Sequence, residues 1–518
     1  MTPPYRGGTV NNNLSSYRKT HPPKNKGGFP MSRNPRGNTG VTVLLVMLIL
    51  LFAAGSVLMI WLCLGIPDRA PEQAAAESAP TLSTTQPTES TTEATTEPTL
   101  PDPEHVVSTA TIISTGDVLM HMPVVDSGRQ TDGSYNFDSI FRYANSYTSA
   151  ADWAVANLET TLCGLDNGYP YQGYPYFNCP DAIVTGLRDA GFDMLLTANN
   201  HSYDTGLTGY KRTLDTVRDA GLVTLGTMKS ADEPKYTIQE MNGIKIGMLC
   251  YTYAYSVDSN GSPSLNGNPF ISETGICNYF HADRLDAFYT EVDGYLQQME
   301  QEGAEATVMY IHWGVEYQTY ANDQQKEISQ KLCDLGIDVI VGGHPHVVQP
   351  ISLLESTVDP DHKTVCLYSM GNAVSNQRQG NLSSISTAHT EDGVLFSVTF
   401  CKYSDGTVYL QNVDLIPCWV NRHSTYGKME YNILPLDPAT RDHWKEAYEL
   451  SDSTLAAAEK SYDRTMAIVG DGLAASQEYL AAAQEARDQY YYDLVYNPDK
   501  PATESTETSA ATETSDAA

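Results

Sequence analysis

Two histidines one residue apart, His344 and His346 in GIDVIVGGHPHVVQP, close an apolar run. On an extended segment, side chains at i and i+2 point the same way, so both imidazoles are expected to reach one point in space. Such a pair is either half of a metal site or two unrelated histidines of a polar turn, and partners decide between these. Partners stand at the ends of other apolar runs. VVSTATIISTGD ends on Asp117, ADWAVANLETTL carries Asn157 and Glu159, and FDMLLTANNHSYDTG carries Asn199, Asn200, His201 and Asp204. ATVMYIHWGVEY adds His312 and Glu316. One such residue is ordinary in a turn; five runs that each deliver oxygen or imidazole donors are not. The mixed donor set suits Zn²⁺, Mn²⁺ or Fe²⁺. Two such ions, roughly 3.5–4 Å apart, would clamp a phosphoryl group and sharpen a water into a nucleophile.

These residues need a sheet to hold them. One punctuation recurs three times: an amphipathic segment, a glycine, then a short apolar run, in GLRDAGFDMLLTANNH, TVRDAGLVTLGT and KLCDLGIDVIVGGHPH. Glycine after a helix is the usual left-handed stop, and the apolar run reads as a buried strand. Alternating helices and strands imply an α/β domain with helices covering the sheet, here over residues 106–436. The donors then share the carboxyl edge of that sheet, where α/β proteins build their sites. Asn242-Gly243 between two apolar runs predicts a hairpin with a type I′ turn. Beyond Lys363 the chain is strand-rich, so the sheet is mixed or there are two packed sheets. Residues 437–498 read as two Ala- and Glu-rich helices, packed on the domain or a partner.

The flanks are different in kind. Residues 1–40 hold seven basic residues and no acidic one, and their Gly, Pro and Asn content predicts disorder. Residues 41–66 form an uncharged apolar stretch long enough for a bilayer, which takes roughly 20 residues. The basic flank predicts a cytoplasmic N-terminus, a single-pass anchor and an extracellular main domain. Residues 67–105 read as a Thr/Pro/Glu-rich stalk and residues 499–518 as a disordered tail of similar composition. The chain carries −32 overall, so the part beyond residue 40 carries −39, a surface that does not seek nucleic acid. Nine cysteines include no CxxC pair; Cys163 and Cys179 flank a Tyr/Gly/Pro loop and could pair.

The ordered series GDVLMH, NLET, TANNHSYDTG, IHWGVEY, GGHPHVVQP and YSMGN resembles the CapA family of poly-γ-glutamate capsule synthesis proteins, itself similar to calcineurin-like metallophosphoesterases. The resemblance covers roughly residues 110–375. It implies a four-layer α/β/β/α sandwich with one or two divalent ions (Mn, Zn or Fe). The implied ligands are Asp117, Glu159, Asn200, His201, His312, His344 and His346, with His201 or His346 as proton donor. Asn157, Asn199, Asp204, Glu316 and Asn372 are expected to surround ligands or substrate, Glu316 by orienting His312. The first motif departs from Asp-x-His: Leu119 stands at the histidine position and His121 two residues on. A dinuclear site, a mononuclear one and a pocket that binds polyanion without turnover therefore stay open. The implied partners are an anionic polymer or phosphoester and other membrane subunits of a capsule synthase.

Overall fold

The computed structural model describes residues 106–381 and 385–496. The basic segment, the apolar anchor, the stalk and the tail lie outside the described residues. Among those described, no helix is long and apolar enough to cross a membrane.

The strands, in chain order, are β1 (Val106–Val118), β2 (Trp153–Leu158), β3 (Met194–Leu196), β4 (Val223–Leu225), β5 (Tyr236–Met241) and β6 (Ile244–Tyr253). The short β7 (Ser256–Val257), β8 (Pro263–Ser264) and β9 (Tyr279–Phe280) follow, then β10 (Ala306–His312), β11 (Val339–Gly343), β12 (Ile351–Glu355), β13 (Lys363–Leu367) and β14 (Asn372–Val374). Three longer strands close the series: β15 (Asp392–Tyr403), β16 (Val408–Thr425) and β17 (Lys428–Pro435). One sheet runs β17-β16-β15-β1-β2-β3-β4 with β14 beside β1; the other runs β12-β13-β11-β10-β6-β5 with β9 beside β6.

Period-two alternation divides each strand between two cores. Ala110 and Ile112 of β1, Val155 of β2, Val308 and Tyr310 of β10, and Val339 and Val341 of β11 fill one cluster shared by both sheets. Their neighbours face outward. Ala154 and Ala156 meet the helix Ala182–Asp189, while Met309, Ile311 and Ile340 meet the helices Leu285–Gln301 and Asp323–Asp334. The order is helices, sheet, sheet, helices.

The three helix–glycine–strand passages fold as their punctuation predicts, with Gly191, Gly221 and Gly336 at φ 86°, 88° and 90°. Asn242 and Gly243 both have positive φ (52° and 79°), as a type I′ turn requires, and they join β5 to β6.

Two expectations are corrected. The C-terminal segment is not two long helices: after a short helix at Trp444–Ala447, one continuous helix spans Asp452–Tyr496. Gly472 lies within it, at a contact with β12. A Cβ on Gly472 would sit 1.9 Å from the carbonyl oxygen of Ile351, so glycine lets the helix lie directly on β12. Val469, Leu473 and Leu480 thereby enter the core between the sheets. Cys163 and Cys179 are both buried free thiols, and no bond joins them.

Candidate metal centre

The five strand ends meet. β1 lies parallel between β2 and β14, with Asp117 opposite Asn157 on one side and Asn372 on the other. β10 lies parallel to β11, with His312 opposite Gly343. All strand ends that carry donors therefore open on one edge of the sandwich. The approach is close: a Cβ on Gly116 would sit 1.9 Å from the Gly371 carbonyl oxygen, and Asp117 N donates to that oxygen at 3.0 Å.

Two groups of donors form there, Glu159–His312–His344 and Asp117–Glu159–His346, each with its atoms within 4.8 Å of one another. Glu159 belongs to both. Its Oε1 lies 3.6 Å from His312 Nε2 and 3.8 Å from His346 Nε2. Among the described residues, neither Glu159 oxygen has a hydrogen-bond donor, and His344 Nδ1 is likewise buried without a partner. Buried polar atoms are nearly always satisfied, so this concentration at one point calls for a ligand. Imidazole nitrogens beside carboxylate and amide oxygens fit a borderline divalent cation. The floor supports the fit, since a Cβ on Gly343 would come within 3.1 Å of Asp117 Oδ1.

The remaining residues hold these donors. Asn157 Nδ2 donates to Asp117 Oδ1 at 2.7 Å, and Asn199 Nδ2 donates in turn to Asn157 Oδ1 at 3.1 Å. Asn200 Oδ1 lies 2.8 Å from His312 Nε2, placing both atoms at the first group. Asn372 Nδ2 donates to the carbonyl of His346 at 3.2 Å, fixing the backbone beside that imidazole. His201 stands outside both groups, its Nδ1 2.7 Å from Asp204 Oδ2. Phe177 N donates to the same Asp204 oxygen at 2.7 Å, and Asn268 Nδ2 reaches Asp204 Oδ1 at 3.1 Å.

His344 and His346 converge for a reason other than strand period. β11 ends at Gly343, and the two histidines have φ of 95° and 57°. Left-handed backbone at two non-glycine residues costs on the order of 1–3 kcal/mol each, and it turns the rings inward with centroids 5.9 Å apart. Glu316 differs more. It is exposed, and no contact to His312 accompanies it; its carboxylate instead acts on Tyr253, Tyr317 and His346.

Charge follows contact. Burial lowers the His346 pKa, but the Glu159 charge and the hydrogen bond and charge of Asp117 lift it to about 9. Burial raises Asp117, yet His346 and His312 hold it below the usual carboxylate range. Burial, with the charges of His312, His346 and His201, drives His344 well down, leaving a neutral imidazole.

Three residues of the site were missed in the sequence. Tyr253, at the end of β6, lies 4.8 Å from the His344 ring; it sits on the same strand edge and could have been read there. Asn266 and Asn268 come from a loop more than sixty residues from His201, with nothing in their local sequence to connect them.

A mixed α/β sandwich with a buried histidine–carboxylate cluster at one sheet edge defines the class. The chain belongs to the bacterial capsule synthesis protein PGA_cap family, which its residues 111–377 match. It is similar to the PGA biosynthesis protein CapA of Bacillus subtilis (strain 168), with 29% identity over 51% of this chain and 62% of that protein. The capsule biosynthesis protein CapA of Bacillus anthracis is 25% identical over 52% of this chain and 60% of its own length. The matches thus span under two thirds of both relatives. Among solved structures, the Haemophilus influenzae NAD nucleotidase aligns with 13% identity over 74% of this chain and 68% of its own, at a TM-score of 0.37.

Proposed function

We propose that this is a membrane-anchored, outward-facing protein of capsule biosynthesis that uses a metallophosphoesterase-like site to hydrolyse a phosphoester or acyl linkage while an anionic polymer of the poly-γ-glutamate class is made, exported or tethered. The observation that carries the reading is Glu159, a fully buried carboxylate with two unpartnered oxygens, shared by two donor groups. Asp117, Glu159 and His346 would hold one divalent ion, and Glu159, His312, His344 and Asn200 a second. Bound there, the ions would supply Lewis acidity to polarise an ester oxygen and activate water. Asp204 Oδ2 accepts from His201 Nδ1–H, so a ring that also carries a proton on Nε2 would give that second proton to a leaving group. Asn157 and Asn199 keep Asp117 aimed at the cluster.

The experiment pairs elemental analysis of the purified protein with a hydrolysis panel of phosphoesters and γ-glutamyl peptides. His201→Ala is expected to retain metal and lose roughly 10²–10⁴ in rate. Leu119, standing where Asp-x-His has its histidine, favours a second reading: an accessory subunit that holds polymer beside a membrane synthase. A metal-loaded protein with no turnover, whose His201→Ala variant still abolishes capsule, would decide for that reading.

A further inference from the structure

Three histidines at the sheet edge each have an aromatic ring against them. The centroid of the Tyr253 ring lies 4.8 Å from that of His344, Tyr317 6.4 Å from His346, and Phe177 4.6 Å from His201. Within three residues of each, the same loop puts a tyrosine in solvent: Tyr255 is 72% exposed, Tyr320 60% and Tyr174 76%. Hydrogen bonds tie these loops to the site. Tyr317 N donates at 2.8 Å to the carbonyl of Pro345, between the two histidines, and Gln349 Nε2 donates to the Tyr320 carbonyl at 2.9 Å. Asn266 Nδ2 donates at 3.1 Å to the carbonyl of Pro175, next to Tyr174, and lies 3.2 Å from His201 Nδ1. Large apolar side chains left in solvent around one site mark a binding surface.

The same loops lack cations. Residues 159–181, 197–205, 254–281, 313–322 and 344–350, which follow β2, β3, β6, β10 and β11, hold no lysine or arginine. Residues 375–391, after β14, hold Arg378 alone, and its guanidinium is committed to the Val420 carbonyl at 2.6 Å and to Glu391. Lys211 and Arg212, on the helix Gly206–Asp219, are paired with Glu273 and Asp181. Glu316, beside Tyr317, adds an exposed carboxylate. A surface that grips a polyanion along its length needs the opposite charge, which these loops do not offer. A tyrosine ring offers instead an apolar face to the C–H groups of a sugar and a hydroxyl to its alcohols, at little conformational cost.

We infer that the loops around the Glu159 cluster form a sugar-binding rim, so that the ligand presents a phosphoester to the cluster and a neutral, hydroxylated sugar unit to Tyr174, Tyr255 and Tyr320. This rests on the phosphoesterase-like reading above and narrows its substrate to sugar phosphoesters. The polyanionic chain is not what the rim holds.

The test uses the full chain in detergent, loaded with metal and titrated with inorganic phosphate, a panel of hexose and N-acetylhexosamine 1-phosphates, and a γ-glutamyl oligomer. The best sugar phosphate should bind about tenfold or more tighter than inorganic phosphate, and that ratio should hardly change with salt. The triple variant Tyr174→Ala, Tyr255→Ala, Tyr320→Ala should lose the advantage with metal content and circular dichroism unchanged, because all three side chains stand in solvent. The corresponding triple change to phenylalanine, which keeps the rings, should retain most of it. Equal affinity for inorganic phosphate and every sugar phosphate overturns the inference, as does an advantage that survives in the alanine variant. A γ-glutamyl oligomer that binds tighter than all the sugar phosphates, and weakens with salt, overturns it too. If loaded wild type takes neither phosphate nor any sugar phosphate, the phosphoesterase reading falls by itself. Cellotetraose and chitotetraose then judge the rim: binding that the alanine variant loses upholds it, and no binding overturns it.

Discussion

Asp392 and Glu159 are both buried carboxylates in one sandwich, and their surroundings are opposite. Asp392, at the start of β15, receives Arg464 Nε at 2.8 Å and Nη2 at 2.6 Å, and Ser461 Oγ at 2.6 Å. Both donors come from the long C-terminal helix, so the carboxylate pins that helix to the sheet. Among the described residues, Glu159 receives no hydrogen bond at either oxygen. A satisfied buried charge fixes structure, whereas one left open at a convergence of imidazoles is kept for a ligand. The pinned helix lies beyond the residues that match the family, and the open cluster lies within them.

The largest effect should come from the closed side. Asp392→Ala leaves Arg464 and Ser461 without their acceptor, and removing one partner of a buried pair costs about 3–5 kcal/mol. Urea unfolding measures this; a loss below about 1 kcal/mol breaks the comparison. The same residue sets a pH window. Burial pushes Asp392 up to about 6 despite Arg464, so the folded state binds this proton more readily than the unfolded one. Its contribution is therefore fullest below about pH 4 and falls as pH rises through about 6. Asp392→Asn should flatten that slope in stability measured against pH.

On the open side, stability should depend on metal. At a hundred times its dissociation constant, an ion bound only by the folded state adds about 2.7 kcal/mol. The double variant His344→Ala, His346→Ala should lose both the ion and this gain while remaining folded. Full metal occupancy in the double variant would refute the assignment of these histidines. Glu159→Gln sharpens the contrast. No hydrogen bond is removed, although the charge that lifts His346 is, so the metal-free protein should stay folded while the stabilisation added by metal disappears. A large loss without metal would make Glu159 structural, like Asp392. The smallest effect is expected at Glu316, exposed and away from His312: Glu316→Gln should stay within about 0.5 kcal/mol in stability and leave metal content unchanged.

What the sequence determined by itself was local and periodic. Glycines 191, 221 and 336 end helices because φ near 90° excludes most other residues, and the buried strands after them follow from short apolar runs. Asp117, Asn157, Glu159, Asn200 and His312 were legible as donors because each sits at the end of such a run. Tertiary structure decided the rest. His344 and His346 were legible as a pair, but they meet through two left-handed residues that strand spacing does not encode. Gly472 sits inside the long helix because the Ile351 carbonyl occupies the place a Cβ would take, a contact that no local pattern encodes. Asn266 and Asn268 reach Asp204 only through chain closure. Periodicity reports which way a side chain leaves its own strand. Where two sheets converge, the neighbour it meets is set by packing, and that information lies in no single segment of the chain.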